Sequence, residues 1–203
     1  MIRRLLLSLA LAAPMLRAPM LAAQKTAPLA PYAGTKVAVV PVQFFRVDSS
    51  AWGAPAGAVL RAAFDSLLSE ALNEHGLSGT WATPADVQRT AKRNVVYAVD
   101  PRNLGAFSVR NGATRDAPIT DPLASNLRRV VAFHDARYVL IPVELHVNAE
   151  KGGGHLGVRL LLVDARLSTP TWQVDLIGES AATYTPGLLQ QLATRVSELV
   201  VAR

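Results

Sequence analysis

The 203-residue chain has no cysteine. That absence excludes disulfides, thiolate metal sites and a cysteine nucleophile. It also removes the lipid-modified cysteine that would tether an exported bacterial protein to a membrane. Histidine is scarce: His75, His134, His146 and His155 are all there are, and none has an H-E-x-x-H or related metal spacing. Aromatic residues make up 6% of the chain, too few for the stacking platforms that single-stranded nucleic-acid binders use. There is no G-x-S-x-G nucleophile elbow. The glycine run 151-KGGG-154 carries its lysine before the glycines, not after them, so it reads as a turn and not as a phosphate loop.

What is present begins with an export pattern. Arg3 and Arg4 precede a twelve-residue apolar core, 5-LLLSLALAAPML-16, and a small-residue segment, 18-APMLAA-23, follows with a cut expected after Ala23. The core is too short to span a bilayer, which takes about 20 apolar residues. After cleavage 18 basic and 15 acidic residues are left, a net charge of +3 instead of +6, and no integral membrane segment is expected. About 180 residues form one domain by the usual size rule. The expected organisation is a signal peptide over 1–23, a flexible leader over 24–35 and one α/β domain over 36–203.

Within that domain 36-KVAVVPVQ-43 reads as a central strand, with Pro41 marking a bulge or an end to pairing on one side. Leu60, Phe64, Leu67, Leu68, Ala71 and Leu72 form a helical stripe over 58–75, and Gly76 supplies the left-handed residue after it. A short strand at 78–82 leads to Thr83-Pro84-Ala85-Asp86, an N-cap opening a helix to about Arg93. Residues 94–120 are turn-rich and read as an irregular insertion. A helix over 121–134 follows, with Leu123, Leu127, Val130 and Val131 on one face. Three strands come next, at 137–149, 155–167 and 172–179, joined by turns short enough to make them antiparallel neighbours. In the first, Val139, Ile141, Val143, Leu145 and Val147 alternate with polar residues and are assigned to one face. A helix over 187–201, with Leu188, Leu192, Val196 and Leu199 in its stripe, closes the chain. The order β-α-β-α-α-β-β-β-α predicts a mixed sheet of about five strands with helices packed on it.

The run 37-VAVVPVQFF-45, the Pro84-Ala85-Asp86-Val87 helix start, 136-ARYVLIPVEL-145 and 158-VRLLLVDARLSTPTW-172 together resemble the α/β domain of the TolB amino-terminal part. Similar domains occur in the curli secretion lipoproteins of the CsgG type and in the penicillin-binding-protein activator lipoproteins. The resemblance covers most of 36–201 and implies a non-enzymatic envelope domain that binds other proteins. This chain departs from the pattern by lacking the anchor cysteine, by the 94–120 segment, and by having no propeller or pore-forming segment after it. Anchoring, pore and translocation roles therefore do not carry over.

Few residues are candidates for chemistry. Asp164 and Arg166 point to the same face of a strand end and are expected to form an exposed ion pair at a hairpin. His146 and His155 flank a tight turn; with a loop at 150–151 they would stand opposite each other, and Glu144 would have to complete any metal set. Charge placement says more. Arg89, Lys92, Arg93, Arg102, Arg110, Arg115, Arg128 and Arg129 face only Asp100, Asp116 and Asp121, so 89–129 carries +5 and the rest of the processed chain −2. Such a surface attracts anionic partners. The expectation is a secreted, periplasmic or extracellular protein, possible neighbour of the outer membrane, that binds an envelope protein or anionic envelope component through Arg89, Lys92, Arg93, Arg102, Arg110 and Arg115. It uses no cofactor and binds no nucleic acid. A small-ligand or metal module on Glu144, His146 and His155 is one alternative, and an enzyme of unrecognised type is another.

Overall fold

The computed structural model describes residues 27–47, 52–113, 117–150 and 152–201. The expected signal peptide lies outside the described residues. One mixed sheet forms the centre, made of β1 (Val37–Val39), β2 (Phe44–Val47), β3 (Trp81–Ala82), β4 (Tyr138–Glu150), β5 (Gly153–Asp164) and β6 (Thr169–Ala181). The strand order is β3-β1-β4-β5-β6, with β2 pairing the far end of β4. Pairings among β1, β2, β3 and β4 are parallel, and β4-β5-β6 is an antiparallel meander.

Four helices cover the sheet: α1 (Gly57–Glu74), α2 (Pro84–Arg93), α3 (Leu123–His134) and α4 (Pro186–Glu198). The chain moves outward from β1 to β3 through α1, then back past β1 to β4 through α2 and α3. Crossovers of one hand in opposite directions place their helices on opposite faces. Accordingly Phe64, Leu68 and Leu72 of α1 and Leu188, Leu192 and Val196 of α4 bury one face, with Val37, Val39, Leu140, Val158 and Leu160. Val87 of α2 and Leu123, Leu127 and Val130 of α3 bury the other, with Ala38, Val40, Val139 and Ile141.

The local signals act as anticipated at the helix ends. Thr83 Oγ1 accepts from the Asp86 N–H and the Asp86 carboxylate accepts from the Thr83 N–H, a reciprocal cap with Pro84 at the first helical position. Gly76, at φ +74°, turns the chain out of α1.

Three features differ from the expectation. The first strand is split into β1 and β2 around Pro41. The Val40 and Gln43 N–H groups still bond to β4, but Val42 turns its N–H away, to the buried Asp65 carboxylate at 2.9 Å. The 24–35 leader is not free from residue 27 onward. Leu29 is fully buried and donates to the Leu199 carbonyl, and Tyr32 packs edge-on against Tyr138 at 4.9 Å. Finally, a bulge between Pro142 and Glu144 leaves Val143 without a paired residue. An inserted residue changes the parity of everything after it. Val139, Ile141 and Val143 lie in the α2/α3 core, whereas Leu145 and Val147 lie in the α1/α4 core, so the odd positions do not share one face.

A strap and its charged support as the candidate functional site

The bulge sends Glu144 and His146 to the face where α2 and α3 pack, beyond the apolar cover of those helices. The segment around the 3-10 turn Ala106–Val109 roofs this end. Ala106 and Val109 sink into the core, and the segment then crosses four strands in succession. Phe107 packs against Phe44 of β2 with the rings tilted at 51° and their centroids 4.9 Å apart. Arg110 reaches Glu144 of β4 at 2.6 Å. The Arg110 carbonyl accepts from Arg159 of β5 at 2.5 Å, and the Ala113 N–H donates to Gln173 of β6 at 2.9 Å. The expected irregular insertion is thus a strap over the sheet.

Beneath the strap the charges are matched. Glu144 is 4% exposed and takes Arg110 on Oε2 and Arg46, at 3.6 Å, on Oε1. Arg159 forms a two-point pair with Asp175 at 2.7 and 3.0 Å. The Arg110 guanidinium also lies over the Phe44 ring, 4.8 Å from its centroid. The register explains this order: Phe44, Glu144, Arg159 and Asp175 are cross-strand neighbours. Glu144 and Asp175 are each engaged by an arginine, so the arrangement positions the strap.

The weak metal candidates do not converge. The turn after β4 lies one residue later than the loop expected at 150–151, so Asn148 stands opposite His155 and His146 opposite Gly157. The His146 ring occupies the space a side chain on Gly157 would need. Burial, and then Arg46, holds His146 below the usual imidazole range. His155 shares a 3.1 Å hydrogen bond with the Asn148 side-chain nitrogen. Among the described residues no group of three His, Asp or Glu could hold a metal ion.

Asp164 and Arg166 do not pair as expected. Asp164 is buried and binds Arg137, 2.6 Å from Nη2 and 2.7 Å from Nε. Arg166 contributes only its N–H, at 3.0 Å, and Leu167 adds another at 3.2 Å. Burial alone would raise the Asp164 carboxyl, but Arg137 and these two donors hold it below the ordinary range. The hairpin is there; its ion pair joins the end of β5 to Arg137, the residue before β4, instead of lying within one strand.

The six basic candidates separate into groups. Arg89 pairs with Asp86 at 2.8 Å. Arg102 pairs with the buried Asp65 at 2.9 Å and also reaches Gln88. Arg110 supports the strap. Lys92 and Arg93 are exposed, and no ion pair joins either to a described residue. Arg115 lies outside the described residues. What the sequence reading did not single out is Phe107, 70% exposed although fixed on Phe44. Its only sequence signal is an aromatic residue inside a turn-rich run.

No family model matches the sequence, and no curated protein matches it. Solved structures do match. Lipoprotein GNA1162 from Neisseria meningitidis is 16% identical, with 83% of this chain and 99% of that chain covered, at a TM-score of 0.41. E. coli LpoB is 13% identical, with 89% and 84% covered, at 0.40. PelC from Paraburkholderia phytofirmans, whose structure is a dodecamer, is 16% identical, with 84% and 90% covered, at 0.40. LpoB belongs to the penicillin-binding-protein activator lipoproteins named from the sequence; TolB and the CsgG type are not shown. Likeness at this level says nothing about partner, activity or assembly.

Proposed function

We propose that this protein is an exported, non-catalytic component of the cell envelope that works by binding another envelope protein through the strap. Export is supported by the Arg3-Arg4 start and the short apolar core of 5–16. Among the described residues no helix is long and apolar enough to cross a membrane. A non-catalytic role is supported by the engagement of Glu144, Asp164 and Asp175 with arginines.

The observation that carries the reading is Phe107. Leaving a phenylalanine in water forgoes about 1.5–3 kcal/mol of burial, yet here the ring is fixed and presented at 70% exposure. Phenylalanine and arginine are both enriched in the buried centres of protein interfaces. The ordering of both side chains precedes binding, which lowers the entropy lost on association.

The test is a photo-activated cross-linker at the exposed Ser108, in cells, with Gln191 on α4 as the control position. One discrete envelope-protein adduct is expected from 108 and none from 191, and Phe107→Ala should cut the adduct at least about tenfold, as loss of an interface anchor does. An adduct indifferent to Phe107→Ala, or equal adducts from both positions, contradicts the proposal.

A further inference from the structure

A second surface, separate from the strap, lies where α2 ends. Asn94 closes the helix, with its N–H and its side-chain nitrogen both bonded to the Thr90 carbonyl, at 3.1 and 2.8 Å. The Asn94 carbonyl then accepts from both Tyr97 and Ala98, which closes a tight turn. Val95, Val96 and Tyr97 on that turn are 77%, 84% and 76% exposed. Just before them, separated only by Asn94, stand the exposed Lys92 and Arg93, which form no ion pair among the described residues. The whole run 87-VQRTAKRNVVYAV-99 contains no acid.

We propose that this corner is a peripheral contact for an anionic phospholipid surface. Consecutive side chains on a tight turn radiate, so no single concave protein pocket suits all three apolar groups. A lipid interface is fluid and accepts them together. Tyrosine favours the headgroup level. Long cationic side chains one helical turn behind an apolar tip extend to the phosphates while their stems stay in the apolar layer. Charge complementarity selects anionic over zwitterionic lipid, since Lys92 and Arg93 form no ion pair among the described residues and outnumber the one carboxylate of the groove beside Lys92, Asp100.

The chain is purified from the exporting cell and mixed with phosphatidylcholine vesicles with and without phosphatidylglycerol, and binding is read by co-sedimentation. Two variants with the same amino terminus are compared: Lys92→Glu with Arg93→Glu, and Val95→Ser with Val96→Ser and Tyr97→Ser. All five positions are exposed, so the fold is kept, and circular dichroism checks this. A cation near an anionic surface contributes about a fivefold gain in partitioning, and each apolar side chain withdrawn from water adds its own gain, so either variant should lower binding to anionic vesicles at least about tenfold. The unsubstituted chain should bind neutral vesicles far less, and raised salt should weaken the anionic binding. Equal sedimentation of all three proteins, or no preference for phosphatidylglycerol, overturns the proposal. So does a protein adduct from a cross-linker at Val96 with no vesicle binding, which would make the corner a protein contact. None of these results bears on Phe107, so this proposal and the strap proposal fail separately.

Discussion

The two faces of the sheet are built differently. The α1/α4 face is mainly apolar where it meets the strands, through Phe64, Leu68, Leu188, Leu192 and Val196, with Asp65, Ser69 and Ser197 the polar residues those helices bury. The opposite face is apolar only under α2 and α3; past the bulge it becomes a set of arginine-carboxylate pairs under a strap, with Phe107 on top. One face therefore holds the fold together, and the other combines folding with display. An extra residue in β4 is what makes the difference, because it exchanges Leu145 for Glu144 at the sheet surface. Function is expected on the side where side chains are fixed without being covered.

Substitutions on the two faces should separate stability from binding. The largest loss of stability is expected from Leu192→Ala on the α1/α4 side. Leu192 is fully buried, and such truncations cost about 2–5 kcal/mol. Chemical denaturation measures this, while adduct formation at Ser108 per folded molecule should not change. A weakened adduct with normal folding would erase the division between the faces.

Asp65 sits at the seam, on α1 but gripping Val42 and pairing with Arg102. Burial pushes its carboxyl up from 3.8 to about 6; the Val42 N–H and Arg102 only partly oppose this. The folded chain thus binds the proton more tightly than the unfolded chain. Its contribution to stability is fully present below about pH 4 and is lost as the pH rises through about 6. The fall should amount to roughly 2–3 kcal/mol. Asp65→Asn keeps an oxygen for Val42 and should flatten the stability profile over that interval. An unchanged slope in the variant would remove Asp65 from the account.

Glu144→Ala should cost about 2 kcal/mol. Removing one member of a buried ion pair costs more than this, but Arg110 and Arg46 are partly exposed and can rehydrate. The variant should also loosen the strap, seen as faster amide exchange at 106–113. Unchanged exchange there would show that Glu144 does not hold it. Phe107→Ala is the smallest in stability, within about 0.5 kcal/mol, though it should be the most damaging to partner capture.

Much of the architecture was legible in the residues. Helical spacing marks α1, α3 and α4; Thr83-Pro84 and Gly76 mark ends; strand alternation and short turns mark the meander. What escaped depended on contacts distant in sequence. Arg137 lies 27 residues from Asp164, and only the β4-β5 register brings them together. The bulge is hidden because polar Glu144, His146 and Asn148 keep an alternation that looks unbroken. A one-residue shift of the following turn was enough to separate His146 from His155. Leu29 and Tyr32 have no periodicity, since a short 3-10 turn that contains Pro31 presents none. The strap has no pattern of its own, and its place is set by four different strands.

Cross-linkers placed singly across both faces test the central claim most directly: Ser108 on one side, and Gln190, Gln191 and Arg195 of α4 on the other. The account predicts envelope-protein adducts at Ser108 that disappear with Phe107→Ala, and no adducts from α4. Adducts concentrated on α4, with Ser108 silent in a folded protein, would contradict it.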